Sequence, residues 1–146
     1  SMTIVRPIRK DDHAEWRRMW PAYLEFYETS VSEDVYETLW NRLHSDDPHE
    51  FSGLIAEVDG KPVGLTHYLF HRHGWKVENC CYLQDLYVDP DVRGTGAGRA
   101  LIEAVYAIAD EAGAPSVYWL TQDFNHTARQ LYDRIAKKTP FIRYNR

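Results

Sequence analysis

The chain has 146 residues, 44% of them apolar and 27% charged, with a formal net charge of −5. That size suits one domain whose core needs no disulfide or metal staple. The negative balance argues against a general nucleic-acid binder, which needs a basic footprint, and no run reaches the roughly 18 apolar residues of a membrane span.

In chain order, residues 3–8 read as a short first strand. Asp11 or Asp12 is placed to cap a helix running to about Tyr27. Its apolar stripe is Trp16, Met19, Trp20, Tyr23, Leu24 and Tyr27, and Pro21 predicts a kink or break within it. Ser32 opens a second helix with Val35, Tyr36, Leu39, Trp40 and Leu43 on one side. Residues 51–58 and 62–70 form a hairpin about Asp59-Gly60, and residues 71–78 read as a polar loop. A strand over 80–88 leads through a Gly-rich turn into a helix over 96–112. Gly113 and Pro115 end that helix. A strand over 117–121, a helix over 125–135 and a last strand over 141–144 complete the pattern. The order is α+β, with a strand, a Gly-rich turn and a helix at its centre.

The two cysteines, Cys80 and Cys81, are neighbours and read as free thiols of a reducing, cytoplasmic compartment. Charged residues interrupt any leader-like run near the start. Ser1 ahead of Met2 reads as a tag remnant, so the domain is taken as residues 2–146.

The segment Arg93-Gly94-Thr95-Gly96-Ala97-Gly98-Arg99 carries the chemistry. Three glycines in five residues clear side chains from a backbone that opens a helix. Its free N–H groups and the helix dipole suit an anion such as a pyrophosphate, and Arg93 and Arg99 add positive charge. No lysine follows the glycines, which excludes a P-loop. Arg99 stands where a dinucleotide fingerprint needs its third glycine. The plain structural alternative is a tight strand-to-helix corner.

On these residues the sequence resembles the GNAT superfamily of N-acetyltransferases. Arg93, Gly96 and Gly98 match the family's Gln/Arg-x-x-Gly-x-Gly/Ala turn, and Asn125, Ala128 and Tyr132 match its Asn-x-x-Ala-x-x-x-Tyr motif. Together the motifs cover about residues 80–135. Tyr82-Leu83-Gln84-Asp85-Leu86-Tyr87-Val88 looks closest to the diamine and spermidine/spermine acetyltransferases. The stretch Ser116-Val117-Tyr118-Trp119 with Asn125-His126 favours a fungal histone/polyamine and D-amino-acid branch. The resemblance implies an α/β/α sandwich with a mixed, mostly antiparallel sheet splayed at the cofactor strand. It implies acetyl-CoA as acetyl donor and a homodimer. It also implies a cofactor site at Leu86, Tyr87 and Val88, along the turn from Arg93 to Arg99, and at Asn125 and Tyr132.

Acetyl transfer to an amine needs a proton acceptor, because a primary amine with a pKa of roughly 10.4 is mostly protonated at neutral pH. It also benefits from a donor to the leaving thiolate. Tyr132 is the candidate general acid; the alternative is a core tyrosine. Asn125 is equally an ordinary helix N-cap. Polyamine-type relatives carry a glutamate where Gln84 stands, and an amide cannot accept the proton. The base is then Asp85, Glu78, a histidine, or water ordered by Tyr82 and Gln84. Asp85 alternates to the face opposite Gln84, where it could equally be a structural hydrogen-bonder. His67, His71 and His73 lack partners at zinc spacing, so no metal is assigned; they read as solvated residues near the amine entrance. Tyrosines of the first helices with Glu25, Glu28, Glu33 and Asp34 would suit a cationic substrate.

The function expected is transfer of acetyl from acetyl-CoA to a primary amine of a small molecule, by direct attack in a ternary complex. The alternatives are a protein lysine or N-terminal acetyltransferase and a non-catalytic acyl-CoA-binding module. Neither nucleic acid nor membrane is an expected partner.

Overall fold

The computed structural model describes residues 2–146; Ser1, expected to be a tag remnant, lies outside the described residues. Five strands form one sheet: β1 (Thr3–Pro7), β2 (Ser52–Val58), β3 (Lys61–His71), β4 (Cys80–Val88) and β5 (Val117–Tyr118), in sequence order. The first four are antiparallel and β5 runs parallel to β4. Four helices cover the sheet: α1 (His13–Phe26), α2 (Glu33–Arg42), α3 (Ala97–Glu111) and α4 (His126–Ile135).

Alternation along β2 divides the core between two helical layers. Leu54 and Ala56 pack toward Leu101, Ile102, Val105 and Ala109 of α3. Ile55 packs with Trp16, Met19 and Trp20 of α1 and Tyr36 of α2. The fold is thus the expected α/β/α sandwich with a mixed sheet. Cys80 and Cys81 are free and buried in it, and burial pushes the Cys81 thiol up to about 12.

Two irregularities of β4 position the site. The pairing of β3 with β4 passes from His67↔Asp85 to Tyr68↔Leu83, so Gln84 is an unpaired bulge residue. The extra residue inverts the alternation beyond it. Leu83, Leu86 and Val88 therefore all serve the α3 side of the core. Asp85 and Tyr87 turn to the α1 side. Second, β5 pairs with β4 only at Cys81↔Val117 and Tyr82↔Tyr118. Beyond Tyr82 that edge of β4 stands open, which is the expected splay.

Several sequence expectations are corrected. The expected break at Pro21 does not occur, because α1 continues through it. Its buried stripe of Trp16, Met19, Trp20 and Leu24 outweighs the one backbone hydrogen bond that proline removes. β5 is two residues long rather than five. Residues 141–144 form no strand, because no neighbouring strand supplies them with backbone partners; Phe141, Ile142 and Tyr144 are exposed.

Asp12 does not cap α1 with its side chain. Its carboxylate instead accepts two hydrogen bonds from Arg6, both 2.8 Å, and one from the Arg9 N–H at 2.7 Å. The hydrogen bond from Arg6 leads in holding the carboxyl below the usual carboxylate range. The pairing therefore stabilises the fold above the unfolded aspartate value of about 4, and the contribution fades as pH falls through the lower folded value. Asp12→Ala should cost about 2–3 kcal/mol in urea denaturation at pH 7, with a smaller penalty at pH 3. An equal penalty at both pH values would exclude the ion pair as the cause.

Candidate active site

The opening between β4 and β5 is a cleft. Leu83, Gln84 and Leu86 of β4 line it, with Trp119 and Leu120 beyond β5 and Ile102 of α3. Tyr23 and Tyr27 from the end of α1 and Tyr132 of α4 complete the wall. Most of the lining residues are apolar or aromatic, and their polar side-chain groups are three phenols, one indole N–H and one amide, a composition suited to orienting a small ligand.

Along the open edge, β4 delivers the chain into the Gly-rich turn. Asp89 is anchored there by two hydrogen bonds from Arg18 of α1, 3.0 and 2.9 Å, and by one from the Tyr87 hydroxyl at 2.9 Å. A 3-10 turn over Pro90–Val92 follows. Gly94 and Gly96 then take φ of +87° and +83°, the left-handed region that favours glycine. Gly96 is the N-cap of α3 and offers no side-chain cap. The first N–H groups of that helix therefore have no capping side chain, and a Cβ at Gly94 or Gly96 would meet open space. The arrangement fits a pyrophosphate: amides without an internal acceptor, the positive end of a 15-residue helix, and clearance for close approach. Arg93 is exposed beside it. Arg99 is engaged on the helix surface with Glu103 at 2.6 Å.

Tyr132 packs edge-on against Trp119, ring centroids 5.3 Å apart. Burial, and then the neighbouring Tyr27, push its phenol up to about 12. It is therefore held in the protonated form that can donate. Asn125 caps α4, its side-chain oxygen accepting from the Ala128 N–H at 3.4 Å. Its amide nitrogen donates to the Thr121 hydroxyl at 3.5 Å.

Gln84 is exposed to the cleft, whereas Asp85 is buried behind the strand. Asp85 Oδ2 lies 2.7 Å from His67 Nδ1, and His67 Nε2 accepts from the Trp16 indole N–H at 3.0 Å. Tyr23 faces the same carboxylate. Its phenol is raised well above the ordinary tyrosine value, first by burial and then by the charge of Asp85.

His67 is not the solvated residue expected but is fully buried in β3. His71 bonds the Tyr118 hydroxyl at 2.7 Å. Among the described residues no group of three or more His, Cys, Asp or Glu side chains could hold a metal ion. The acidic set of the first helices is divided. Glu33 pairs with Arg17 at 2.9 Å, while Glu25 and Glu28 line an open hollow at the end of α1. Glu78 is exposed in the loop before β4 and is not among the residues lining the cleft. Tyr23 and Tyr27, among the first-helix tyrosines expected beside the substrate, line the cleft, whereas sequence reasoning missed Trp119 as a cleft wall and His67 as a buried partner of Asp85. A histidine inside the apolar run Val63-Gly64-Leu65-Thr66-His67-Tyr68-Leu69 was the available signal, since a buried polar side chain needs a hydrogen-bond partner.

The profile of the Acetyltransferase (GNAT) family matches residues 14–136. The D-amino-acid N-acetyltransferase HPA3 of Saccharomyces cerevisiae is 38% identical, over 98% of this chain and 89% of that protein. The thialysine N-epsilon-acetyltransferase of Mus musculus is 29% identical, over 90% of this chain and 82% of that protein. Among solved structures, the ribosomal-protein-alanine N-acetyltransferase of Brucella melitensis superposes with a TM-score of 0.78 at 22% identity, over 99% of this chain and 98% of that one. The aminoglycoside acetyltransferase AAC(6')-Iy with a CoA bisubstrate analogue reaches 0.83 at 18% identity, over 100% and 98% of the two chains. The two solved structures share the fold; the family profile and the fungal relative's identity along nearly the whole chain establish descent, and this chain belongs to the GNAT family of N-acetyltransferase enzymes.

Proposed function

We propose that the chain transfers the acetyl group of acetyl-CoA directly to the primary amine of a small, amino-acid-like molecule held in the same complex. The observation that carries this reading is the open edge of β4. It joins an uncapped, glycine-cleared helix N-terminus to a narrow cleft lined by the phenols of Tyr23, Tyr27 and Tyr132. Acetyl-CoA supplies an activated acyl group on a thiol that can leave. Ala97, Gly98 and Arg99 offer amides to its pyrophosphate, with Arg93 adding charge. The backbone of Leu86, Tyr87 and Val88, unpaired on the β5 side, orients the arm that reaches the cleft. Tyr132 holds a proton at its phenol oxygen for the departing thiolate. Asp85 is the proton acceptor, and Gln84 holds the amine or a water by its amide.

The small acceptor is supported by relatives named for D-amino acids and thialysine. Glu25 and Glu28 would favour a cationic approach from the end of α1. Acetyl-CoA with a panel of D- and L-amino acids, lysine analogues, diamines and peptides, read by free thiol, tests the reading. Turnover confined to small amines is the expected result. Turnover on peptides alone would make it a protein acetyltransferase, and tight cofactor binding without any thiol release would make it a binding module. The homodimer implied by resemblance is checked by sedimentation.

A further inference from the structure

Beyond the bulge, Asp85, Tyr87 and Asp89 share the α1 side of the chain, and each is fastened there. Asp85 is held twice. The Thr66 hydroxyl donates to its backbone oxygen at 2.7 Å, and its carboxylate lies 2.7 Å from His67 Nδ1. Tyr87 packs against the core shared by α1 and α2. Asp89, the residue after β4, is held by Arg18 from the middle of α1. Arg18 Nη1 donates to one carboxylate oxygen at 3.0 Å and Nη2 to the other at 2.9 Å, a two-pronged grip that fixes direction as well as distance. Nη2 also donates to the Pro62 carbonyl oxygen at 3.2 Å, and Nε donates to Glu15 at 2.6 Å. The Asp89 N–H donates to the Val63 carbonyl oxygen at 2.7 Å. One guanidinium thereby ties α1, the start of β3 and the end of β4 together.

Asp89 is the N-cap of the 3-10 turn over Pro90–Val92, a position from which an aspartate ordinarily accepts from the turn's own amides. It makes no such side-chain bond, because its carboxylate is taken by Arg18 and Tyr87. From Asp89 the backbone is bonded stepwise to the glycines. The Val92 N–H donates to the Asp89 carbonyl oxygen at 3.1 Å, and the Thr95 N–H donates to the Val92 carbonyl oxygen at 3.3 Å. The Thr95 hydroxyl donates to that same oxygen at 2.7 Å. Gly96, the N-cap of α3, comes next. With no capping side chain there, the first amides of α3 are placed on one side by the packing of the helix and on the other by this run of turns. Asp89 also brings a negative charge to the entry of a turn suited to an anion, and Arg18 balances it at 2.9 Å.

We propose that Arg18 is a positioning residue for the cofactor: through Asp89 it fixes the start of the glycine turn, and it balances a carboxylate that would otherwise oppose a bound pyrophosphate. Arg18 is not among the residues lining the cleft and acts through Asp89. The inference rests on the acetyl-CoA reading above and adds to it a residue of α1 that neither glycine motif nor cleft contains.

The test measures acetyl-CoA affinity by calorimetry for the parent, Arg18→Gln, Asp89→Asn and the double variant, each checked for folding by circular dichroism. Arg18→Lys, which keeps the cation without the two-pronged grip, replaces Arg18→Gln if the latter does not fold. Arg18→Gln should bind acetyl-CoA about tenfold more weakly, the scale of one lost hydrogen bond to a charged group. The double variant should bind no more weakly than Arg18→Gln, because the two residues act as one unit. A second readout separates positioning from general loosening. Thiol release from S-acetylpantetheine, which has the arm but no pyrophosphate, is compared with release from acetyl-CoA, using the amine that the panel identifies. The kcat/KM preference for acetyl-CoA should fall about tenfold in Arg18→Gln, matching the loss of affinity. An equal fall with both donors, or losses that add in the double variant, would overturn the positioning role. Parental affinity in Arg18→Gln would overturn it too and leave the acetyl-CoA reading standing. A parent that binds no acetyl-CoA would remove that reading, and the inference with it.

Discussion

Replacing Tyr132 with phenylalanine should lower kcat about 10²-fold while acetyl-CoA binds as before. The ring packs edge-on against Trp119 and would stay there without its hydroxyl, so the cleft should keep its shape. What disappears is the phenol proton proposed for the departing thiolate. Without it the thiolate must leave charged into a cleft whose walls include Leu83, Leu86, Ile102 and Trp119. Burial raises the folded phenol to about 12, and the direction of that shift makes two further results follow. Below about pH 10 the hydroxyl remains protonated and able to donate, so the parent's kcat should show no falling limb from Tyr132 there. Because the folded value is raised, the stability this group contributes is complete below its unfolded value of about 10 and is lost as pH rises toward 12. Tyr132→Phe should remove that alkaline loss. A variant with unchanged kcat would return Tyr132 to the ordinary role of a packed aromatic.

Valine at Gly96 should weaken acetyl-CoA binding by about 10²-fold in calorimetry, with a smaller effect on folding. Gly96 holds φ at +83°, where an L side chain costs about 1–2 kcal/mol and a β-branched one strains most. A Cβ there touches nothing, so the cost is backbone strain, not collision. The turn relieves it by rotating toward ordinary φ, which swings the first amides of α3 off the anion. Losing one or two hydrogen bonds to a charged group, about 1.5–3 kcal/mol each, is enough for the expected drop. Gly74→Ala is the control, since Gly74 lies in the exposed loop before β4 and a Cβ there also meets nothing. Unchanged affinity in Gly96→Val would move the pyrophosphate away from this turn.

The turn, the helix after it and the Asn125–Tyr132 segment were legible in the sequence because their signals are local. Glycine spacing, the apolar face of α3 and an N-cap at Asn125 ahead of the apolar Ala128, Leu131, Tyr132 and Ile135 each act within a few residues. The hairpin about Asp59-Gly60 and the 80–88 strand were legible for the same reason. The missing strand at 141–144 shows the limit. An alternating apolar pattern qualifies a segment for a sheet, but only a neighbouring strand makes it one.

Asp85 shows the same limit at the site. Alternation separates it from Gln84, but says nothing of which helical layer either one faces. The bulge at Gln84 decides that, by inverting the strand's parity beyond it and turning Asp85 to His67. A bulge arises from the register of two strands some twenty residues apart, with no residue of its own to mark it. By itself the sequence determined the family, the two-layer pattern of apolar faces and the glycine-cleared turn into α3, all products of near-neighbour chemistry. Only the tertiary structure decided which carboxylate backs the cleft and which histidine holds it, because those contacts exist only once β3, β4 and α1 have packed together.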